Sequence, residues 1–276
     1  MPYNTRYFLL CVALFAGSVS PAVRPSHPPQ SADILIVAPH PDDATLCCAG
    51  FIQQAISKGQ SVHILELTNG EAYASAAAYL SKKPVTLVTT TDHLRLGNAR
   101  KKEEYRAMGI LGLPSRNITF LGYPDGLLEE VYNTRGNAPL PSRYTGLSAS
   151  PETGSSYTNT TATNDIAAAI LRTKPAYIIV PDIQDTALDH RITRQFVDDA
   201  IKKTAYRGQL LTYIVHSDTA LPFPSSASLL RIHLTAYEQH LKQNAITAYR
   251  TQHAIDREYL FSFIQDEEVF VQLTHP

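Results

Sequence analysis

The stretch Ile34-Leu35-Ile36-Val37-Ala38-Pro39-His40-Pro41-Asp42-Asp43 decides the fold of this chain. Its first five residues are apolar and three of them are β-branched, which predicts a strand buried on both faces. A helix is predicted directly after it, from apolar residues at helical spacing: Leu46, Ala49, Ile52 and Ile56. His40, Asp42 and Asp43 therefore lie where a parallel strand passes into a helix, which is the edge where open α/β sheets bind ligands.

A histidine and a carboxylate three residues apart on such a turn can bind one ion. Imidazole nitrogen and carboxylate oxygen are ordinary zinc ligands, and a catalytic zinc has three protein ligands and one open position. We predict that His40 and Asp43 bind zinc and that Asp42 is the general base that deprotonates the attacking water. The alternative is that the two aspartates only cap the helix. Capping accounts for one acid, but not for two acids and a histidine after a buried strand.

The end of a second strand carries the third predicted ligand. Residues 177–180, Tyr-Ile-Ile-Val, predict another buried strand, and a polar segment ending in Asp189-His190 separates it from the next helix. In a sheet of order 3-2-1-4-5 this strand lies beside the first one, which places His190 next to His40 and Asp43. Asp189 is expected to hydrogen-bond a ligand or to cap its helix.

The whole chain of 276 residues alternates strand-like and helix-like stretches. This pattern predicts the α/β class, with a single Rossmann-like domain over residues 33–276. Its mostly parallel sheet has an order of about 3-2-1-4-5, with flanking helices and a C-terminal strand and helix extension. A fifth strand is predicted to end at His216, and Lys242 to Phe263 is predicted to form a helical tail. The polar stretch 127–164 is predicted to be one long loop that could act as a lid.

The N-terminus has the pattern of an export signal. A positive residue, a short apolar run and a small-residue exit predict a signal peptide over residues 1–22, followed by a proline-rich leader over residues 23–32. The apolar run is shorter than the roughly 20 residues that cross a bilayer. We therefore expect a secreted or periplasmic protein with no transmembrane span in its mature form.

The charge of the chain argues against one class of partner. Lys and Arg number 24 against 25 Asp and Glu, with no basic run, so nucleic acid is not an expected partner.

Cys47 and Cys48 are adjacent on a predicted helix, where neighbouring side chains diverge. We therefore expect no structural disulfide between them, and we assign them to core packing.

Three motifs resemble those of the PIG-L/LmbE-like zinc-dependent de-N-acetylases. They are His-Pro-Asp-Asp at 40–43, Leu-Gly-Tyr-Pro-Asp-Gly at 121–126, and Asp185 with Asp189-His190. The similarity extends from about Ile34 to about Phe270. It implies a Zn²⁺ enzyme that removes N-acetyl groups from N-acetylglucosamine-type sugars or glycoconjugates.

The resemblance also implies roles for residues outside the predicted ligand set. Asp125 would face the sugar, and Asp185 and Asp189 would support the metal ligands. Arg100 begins an Arg-x-x-Glu motif that would lie on the substrate side. The alternative for Arg100 is a surface ion pair with Glu103 or Glu104, at helical spacing.

At two positions the chain departs from the family pattern. Ala44 follows Asp43 where the family has glutamate, and Ala187 replaces a histidine that stabilises the oxyanion or moves the proton. Some other donor should then face the developing oxyanion, and we predict that His216 does so. The alternative is that His216 is a half-buried histidine bonded to a loop carbonyl.

Two other functions stay open at the level of sequence. One is a carbohydrate-binding relative that holds zinc with little or no turnover, as Ala44 and Ala187 suggest. The other is a nucleotide-binding α/β protein. The first strand-to-helix turn has no Gly-x-Gly-x-x-Gly and has two acids where phosphate would bind, which argues against nucleotides.

Overall fold

The computed structural model describes residues 34–134, 138–218 and 228–273, so the predicted signal peptide and leader lie outside the described residues. Within these ranges seven strands form one sheet of order β3-β2-β1-β4-β5-β7-β6. The strands are β1 Ile34–Ala38, β2 Val62–Thr68, β3 Ile118–Tyr123, β4 Tyr177–Pro181, β5 Gln209–Tyr213, β6 Leu229–His233 and β7 Glu267–Leu273.

The central five strands are parallel and confirm the predicted order. In the registers, Ile34 of β1 lies opposite Val62 of β2 on one side and Tyr177 of β4 on the other. The predicted C-terminal extension is also confirmed, since β7 pairs antiparallel with β5 and with β6. Because β1 and β4 are neighbours, the segments after their carboxyl ends meet at one edge of the sheet.

Helices cover both faces of the sheet. They are α1 Asp43–Ser57, α2 Ala74–Ser81, α3 Thr90–Ile110, α4 Leu128–Tyr132, α5 Asn159–Thr173, α6 Leu188–Thr204, α7 Ala236–Thr247 and α8 Arg250–Phe261. The prediction of one helical tail from Lys242 to Phe263 was wrong. Two helices, α7 and α8, are separated at residues 248–249, and α7 begins at Ala236. None of the helices in the described ranges combines the length and the apolar character that crossing a bilayer requires.

Burial on both faces explains why β1 is apolar throughout. Ile34, Ile36 and Ala38 pack in one hydrophobic cluster, which includes apolar residues of α1 and α7. Leu35 and Val37 pack in the other cluster, which includes apolar residues of α5 and α6. A strand covered by helices on both sides has no solvent face, so its sequence does not alternate.

The stretch 127–164, predicted to be one loop, contains regular structure at both ends. Leu128 and Val131 of α4 are buried, and so is Tyr157, just before α5. The helix α5 begins at Asn159, and an isolated antiparallel bridge joins Ala149 to Ser156. Apolar residues at 128, 131 and 157 gain packing that a purely polar loop would lack. A role as a lid stays a prediction.

The expectation for the two adjacent cysteines was wrong. Cys47 and Cys48 in α1 are joined by a disulfide, with their Cα atoms 3.8 Å apart. Both side chains are buried, as expected for core packing. Neighbouring side chains on a helix diverge on average, but the Sγ atoms of these two cysteines turn toward each other.

Candidate functional site

The turn after β1 gathers the first polar residues of the site. The amide of His40 donates to Asp43 Oδ2 at 3.0 Å, and the amides of Thr45 and Leu46 donate to the carbonyl oxygen of Asp42 at 2.9 Å. Asp42 has a φ of 128°, which non-glycine residues rarely adopt. Such a conformation costs about 1–3 kcal/mol and persists where surrounding contacts impose it, often in functional sites.

Three predicted metal ligands converge at this edge of the sheet. Asp43 Oδ2 lies 3.2 Å from His40 Nδ1 and 3.4 Å from His190 Nε2. Each residue offers one ligand atom, and these atoms all lie within 4.8 Å of one another. Two imidazoles and a carboxylate around one point are the donor set of a zinc site that keeps an open position.

The far nitrogen of each imidazole faces a carboxylate. His40 Nε2 lies 3.1 Å from Asp125 Oδ1 and 3.4 Å from Asp189 Oδ2, and His190 Nδ1 lies 3.0 Å from Asp185 Oδ2. These contacts assign the ring protons to the far nitrogens and leave His40 Nδ1 and His190 Nε2 free to bind a metal. Within the described ranges, buried His190 Nε2 has no hydrogen-bond partner, as expected for a ligand atom.

A second group of potential ligands, His40 with Asp125 and Asp189, lies on the other side of the His40 ring. Its carboxylates already accept hydrogen bonds from the backbone: Asp125 from Ala72 at 2.7 Å, and Asp189 from Gly126 at 2.7 Å. The group around Asp43 is the better metal site because it contains the unpartnered nitrogen of His190. Asp125 and Asp189 instead hold the His40 ring in place.

The electrostatics of the site favour a bound cation. Burial alone would lower the pKa of His190, but Asp43 and Asp185 raise it to about 9. Burial opposes the charge of Asp43 as well, yet His190 and His40 hold the pKa of this carboxyl well below its usual range. The carboxylates around the two imidazoles thus stabilise positive charge at this place. A bound divalent metal would supply that charge in place of protons on the rings.

Asp42 differs from Asp43 because it is outside the ligand group. Burial raises the pKa of Asp42 to about 7, against the effect of the neighbouring Arg100 guanidinium. An acid with this pKa can both accept and release a proton near neutral pH. The arrangement therefore places a proton-transfer group beside the candidate metal ligands.

Arg100 is buried behind Asp42 rather than exposed on the surface of α3. Its guanidinium donates to the carbonyl oxygens of Pro41 at 2.7 Å and Gly70 at 3.0 Å, and to Asp42 Oδ2 at 3.1 Å. The alternative of surface pairs with the nearby glutamates is wrong. Glu103 accepts from Thr251, and Glu104 accepts from Tyr249. Arg100 therefore positions Asp42 and the turn around it.

A cavity of about 280 Å³ opens onto these residues. Six residues predicted for the site line it: His40, Asp42, Asp43, Arg100, Asp125 and His216. The predicted residues His190, Asp185 and Asp189 lie behind this wall and support it through the contacts above. Asp125, predicted to face the sugar, lines the cavity while both its oxygens contact protein groups.

His216 lies next to the predicted metal ligands, in the loop after β5. Its ring centroid is 4.8 Å from that of His190, and its backbone amide donates to Asp185 Oδ2 at 3.1 Å. Burial and the neighbouring His190 lower the pKa of His216, which favours the neutral form of its ring. Ala187 has no imidazole ring. His216 supplies an imidazole next to His190 instead.

Several cavity residues were missed by the sequence analysis. Tyr73 precedes α2, and Gln252, Asp256 and Tyr259 belong to α8. The hydroxyl of Tyr259 lies 2.8 Å from His216 Nδ1 and 3.2 Å from the Val215 carbonyl oxygen. Polar residues on an amphipathic helix resemble an ordinary solvent face, so only the packing of α8 against α2 and α3 shows that its residues reach the site.

Comparison with solved structures supports the fold. The A40926 pseudoaglycone deacetylase Dbv21 is 16% identical with a TM-score of 0.62, over 89% of this chain and 99% of that one. N,N'-diacetylchitobiose deacetylase from Pyrococcus horikoshii is 17% identical with a TM-score of 0.60, over 88% and 84%. GalB, the 4-carboxy-2-hydroxymuconate hydratase of Pseudomonas putida KT2440, is 14% identical with a TM-score of 0.55, over 88% and 98%. At such identities the likeness shows the fold alone.

The search of curated proteins found no match. The family PIG-L, described as GlcNAc-PI de-N-acetylase, matches residues 35–201, which include all of β1 except its first residue, β2 to β4, and the residues around Asp43. This range is more than half of the 276 residues. The chain therefore belongs to the PIG-L family.

Proposed function

We propose that this protein is a zinc-dependent hydrolase that removes N-acetyl groups from N-acetylglucosamine-type sugars or glycoconjugates. The observation that carries the proposal is buried His190 Nε2, which makes no hydrogen bond within the described residues and lies 3.4 Å from Asp43 Oδ2, beside a carboxyl group with a pKa of about 7. Family membership supports amide hydrolysis, and the N,N'-diacetylchitobiose deacetylase with the same fold supports an acetylated sugar as substrate.

His40, Asp43 and His190 would hold the metal. When bound there, zinc would act as a Lewis acid that polarises the amide carbonyl and makes water more acidic. These residues fit the ion because their free nitrogens and one carboxylate oxygen face a common point. Asp125, Asp185 and Asp189 orient the two imidazoles from behind.

Asp42 carries the proton in this mechanism. Its carboxylate accepts a proton from the water that attacks the acetamide carbon, and its acid form returns that proton to the nitrogen of the leaving amine. The C–N bond then breaks, which releases acetate and the free amino sugar. Arg100 holds the carboxylate in place through the bond to Oδ2.

His216 would donate a hydrogen bond to the oxygen that gains charge. The shorter contact of Tyr259, at 2.8 Å, favours donation from its hydroxyl to His216 Nδ1. The neutral ring then carries its proton on Nε2, where it can serve as a donor. This donor would take the place of the family histidine at whose position this chain has Ala187.

The test is acetate release from a panel of N-acetylated glycans, followed by mass spectrometry for the loss of one acetyl group. Asp42→Asn should retain zinc and lose about 10²–10⁴ in rate, the usual scale of general-base catalysis. Asp43→Asn should lose both metal and rate. Equal loss of zinc in both variants would show that base and ligand are wrongly assigned.

The other function left by the sequence is a carbohydrate-binding protein that holds zinc without turnover. The structure keeps this candidate because position 187 contributes no imidazole to the site. A zinc-loaded protein that binds these glycans but releases no acetate would establish it. Export is a further proposal, which depends on the sequence pattern of residues 1–22; N-terminal sequencing of the protein secreted by an expressing cell would test it.

A further inference from the structure

The outer rim of the cavity contains a carboxylate that the proposed mechanism does not use. Asp256 interrupts α8, where its φ of −137° and ψ of 51° depart from helical values. Its side chain lines the cavity, and the residue is exposed, whereas Asp42 and Asp43 at the inner end are buried. In the described part of the chain, Asp256 makes no hydrogen bond or ion pair. This carboxylate is therefore available to a ligand.

The cation of the cavity wall is not available in the same way. Arg100 is buried, and its guanidinium is engaged by Pro41, Gly70 and Asp42. A phosphate or carboxylate on the substrate would have to displace these acceptors to pair with it. Among the described residues that line the cavity there is no other lysine or arginine. Within the described lining of the cavity, the rim therefore carries a free negative charge without a free positive side chain.

Two aromatic residues share the cavity lining with Asp256. Tyr73 and Tyr259 also line the cavity. Tyr73 precedes α2, and Tyr259 follows Asp256 by three residues in α8. Aromatic rings offer apolar faces, to which cations are attracted, and a carboxylate accepts hydrogen bonds from hydroxyl or ammonium groups. This combination suits an uncharged or amine-bearing sugar.

We propose that Tyr73, Asp256 and Tyr259 form a subsite that selects N-acetylated amino sugars linked to a neutral or amine-bearing sugar unit and disfavours those linked to phosphate. The inference deepens the proposed function and depends on it. An ammonium group on the neighbouring unit would be attracted by Asp256, whereas a phosphate at the same place would be repelled without compensation from Arg100.

Three probe substrates test the proposal with the zinc-loaded full chain. They are N,N'-diacetylchitobiose, the same disaccharide with one free amine at its reducing-end unit, and N-acetylglucosamine 1-phosphate. Acetate release gives kcat/KM for each. We expect the amine-bearing probe to be preferred over the phosphate, and Asp256→Asn to reduce that preference about three- to tenfold, the scale of charge pairs near solvent. Raising the salt concentration should reduce the wild-type preference but not that of the variant.

The matched control is Glu258→Gln, which removes the same charge from an exposed position of the same helix outside the cavity lining. It should keep the wild-type preference. If Asp256→Asn and Glu258→Gln show the same preference as the wild type, the proposed subsite is wrong, although the deacetylase function stands. If the wild type releases acetate from the phosphate probe at least as efficiently as from the amine-bearing one, the subsite is wrong as well. If it releases acetate from none of the probes, the proposed function fails and the subsite fails with it.

Discussion

Replacing Asp185 by asparagine should weaken metal binding without removing a metal ligand. Asp185 Oδ2 contacts His190 Nδ1 at 3.0 Å and accepts from the amides of Val215 at 2.9 Å and His216 at 3.1 Å. Its Oδ1 accepts from the amide of Ala187 at 2.9 Å. Burial opposes its charge, but His190 and these amides hold the pKa of Asp185 below its usual value. This carboxylate is therefore charged and fully used.

An asparagine at this position can satisfy only part of that set. If its NH₂ group took the place of Oδ2, it would face three donors; in the other orientation it faces only the amide of Ala187. The second orientation should prevail and leave that amide unpaired, at a cost of about 1–3 kcal/mol in the free energy of unfolding. The negative charge behind His190 is also lost, which should weaken zinc binding about 10–100-fold.

The assay is zinc titration against a competing chelator, with urea denaturation of the metal-free protein. The matched control is Asp182→Asn, in the same segment. Asp182 is also buried and accepts from Thr212 and Gln184, but it contacts neither imidazole. That variant should lose stability and keep wild-type zinc affinity. If Asp185→Asn binds zinc as tightly as the wild type, Asp185 does not orient a metal ligand.

Three further predictions concern Gly70, Glu104 and His216. A Cβ at Gly70, whose φ is +67°, would lie 2.2 Å from Arg100 Nη1. Gly70→Ala should therefore displace Arg100 and lower the rate of acetate release about 10²-fold, with zinc content unchanged. An unaltered rate would contradict this prediction. Burial raises the pKa of Glu104 from its ordinary 4.5 to about 8, so the folded state holds a proton that the unfolded state releases, and stability falls with rising pH across that window. The free energy of unfolding of metal-free Glu104→Gln, measured in urea, should therefore rise relative to that of the wild type from pH 5 to 8, by at most about 1.4 kcal/mol per pH unit. A constant difference between the two proteins would show that Glu104 does not titrate in this range. His216→Gln, fully metallated, should turn over about 10²–10³ times more slowly, and a wild-type rate would remove His216 from the site.

The position of the site could be predicted because its first elements are local. Ten consecutive residues contain a buried strand, the turn after it, and His40, Asp42 and Asp43. The alternation of strands and helices and the rules of parallel sheets then predict which strand lies beside the first. His190, 150 positions beyond His40 in the numbering, could be brought to the same edge in this way.

The partners of those residues could not be predicted in the same way. Arg100 stands at helical spacing to Glu103 and Glu104, and that local pattern suggested surface pairs; in the structure it is buried against Asp42 instead. Periodicity reports which face of a helix is apolar, but it does not say which distant carboxylate a buried cation will meet. The same limit applies to Tyr259, whose contact with His216 depends on how the C-terminal helices pack.

The sequence by itself determined the strand-turn-helix unit at β1, the parallel sheet order and the candidate metal ligands, because apolar runs and turn chemistry act over a few residues. Only the tertiary structure decided how the ligands are supported and what forms the cavity wall. Asp125 meets His40, Asp185 meets both His190 and the loop of His216, and α8 brings Asp256 and Tyr259 to the rim. These contacts join distant segments, and they follow from the packing of whole elements, which no short stretch of sequence specifies.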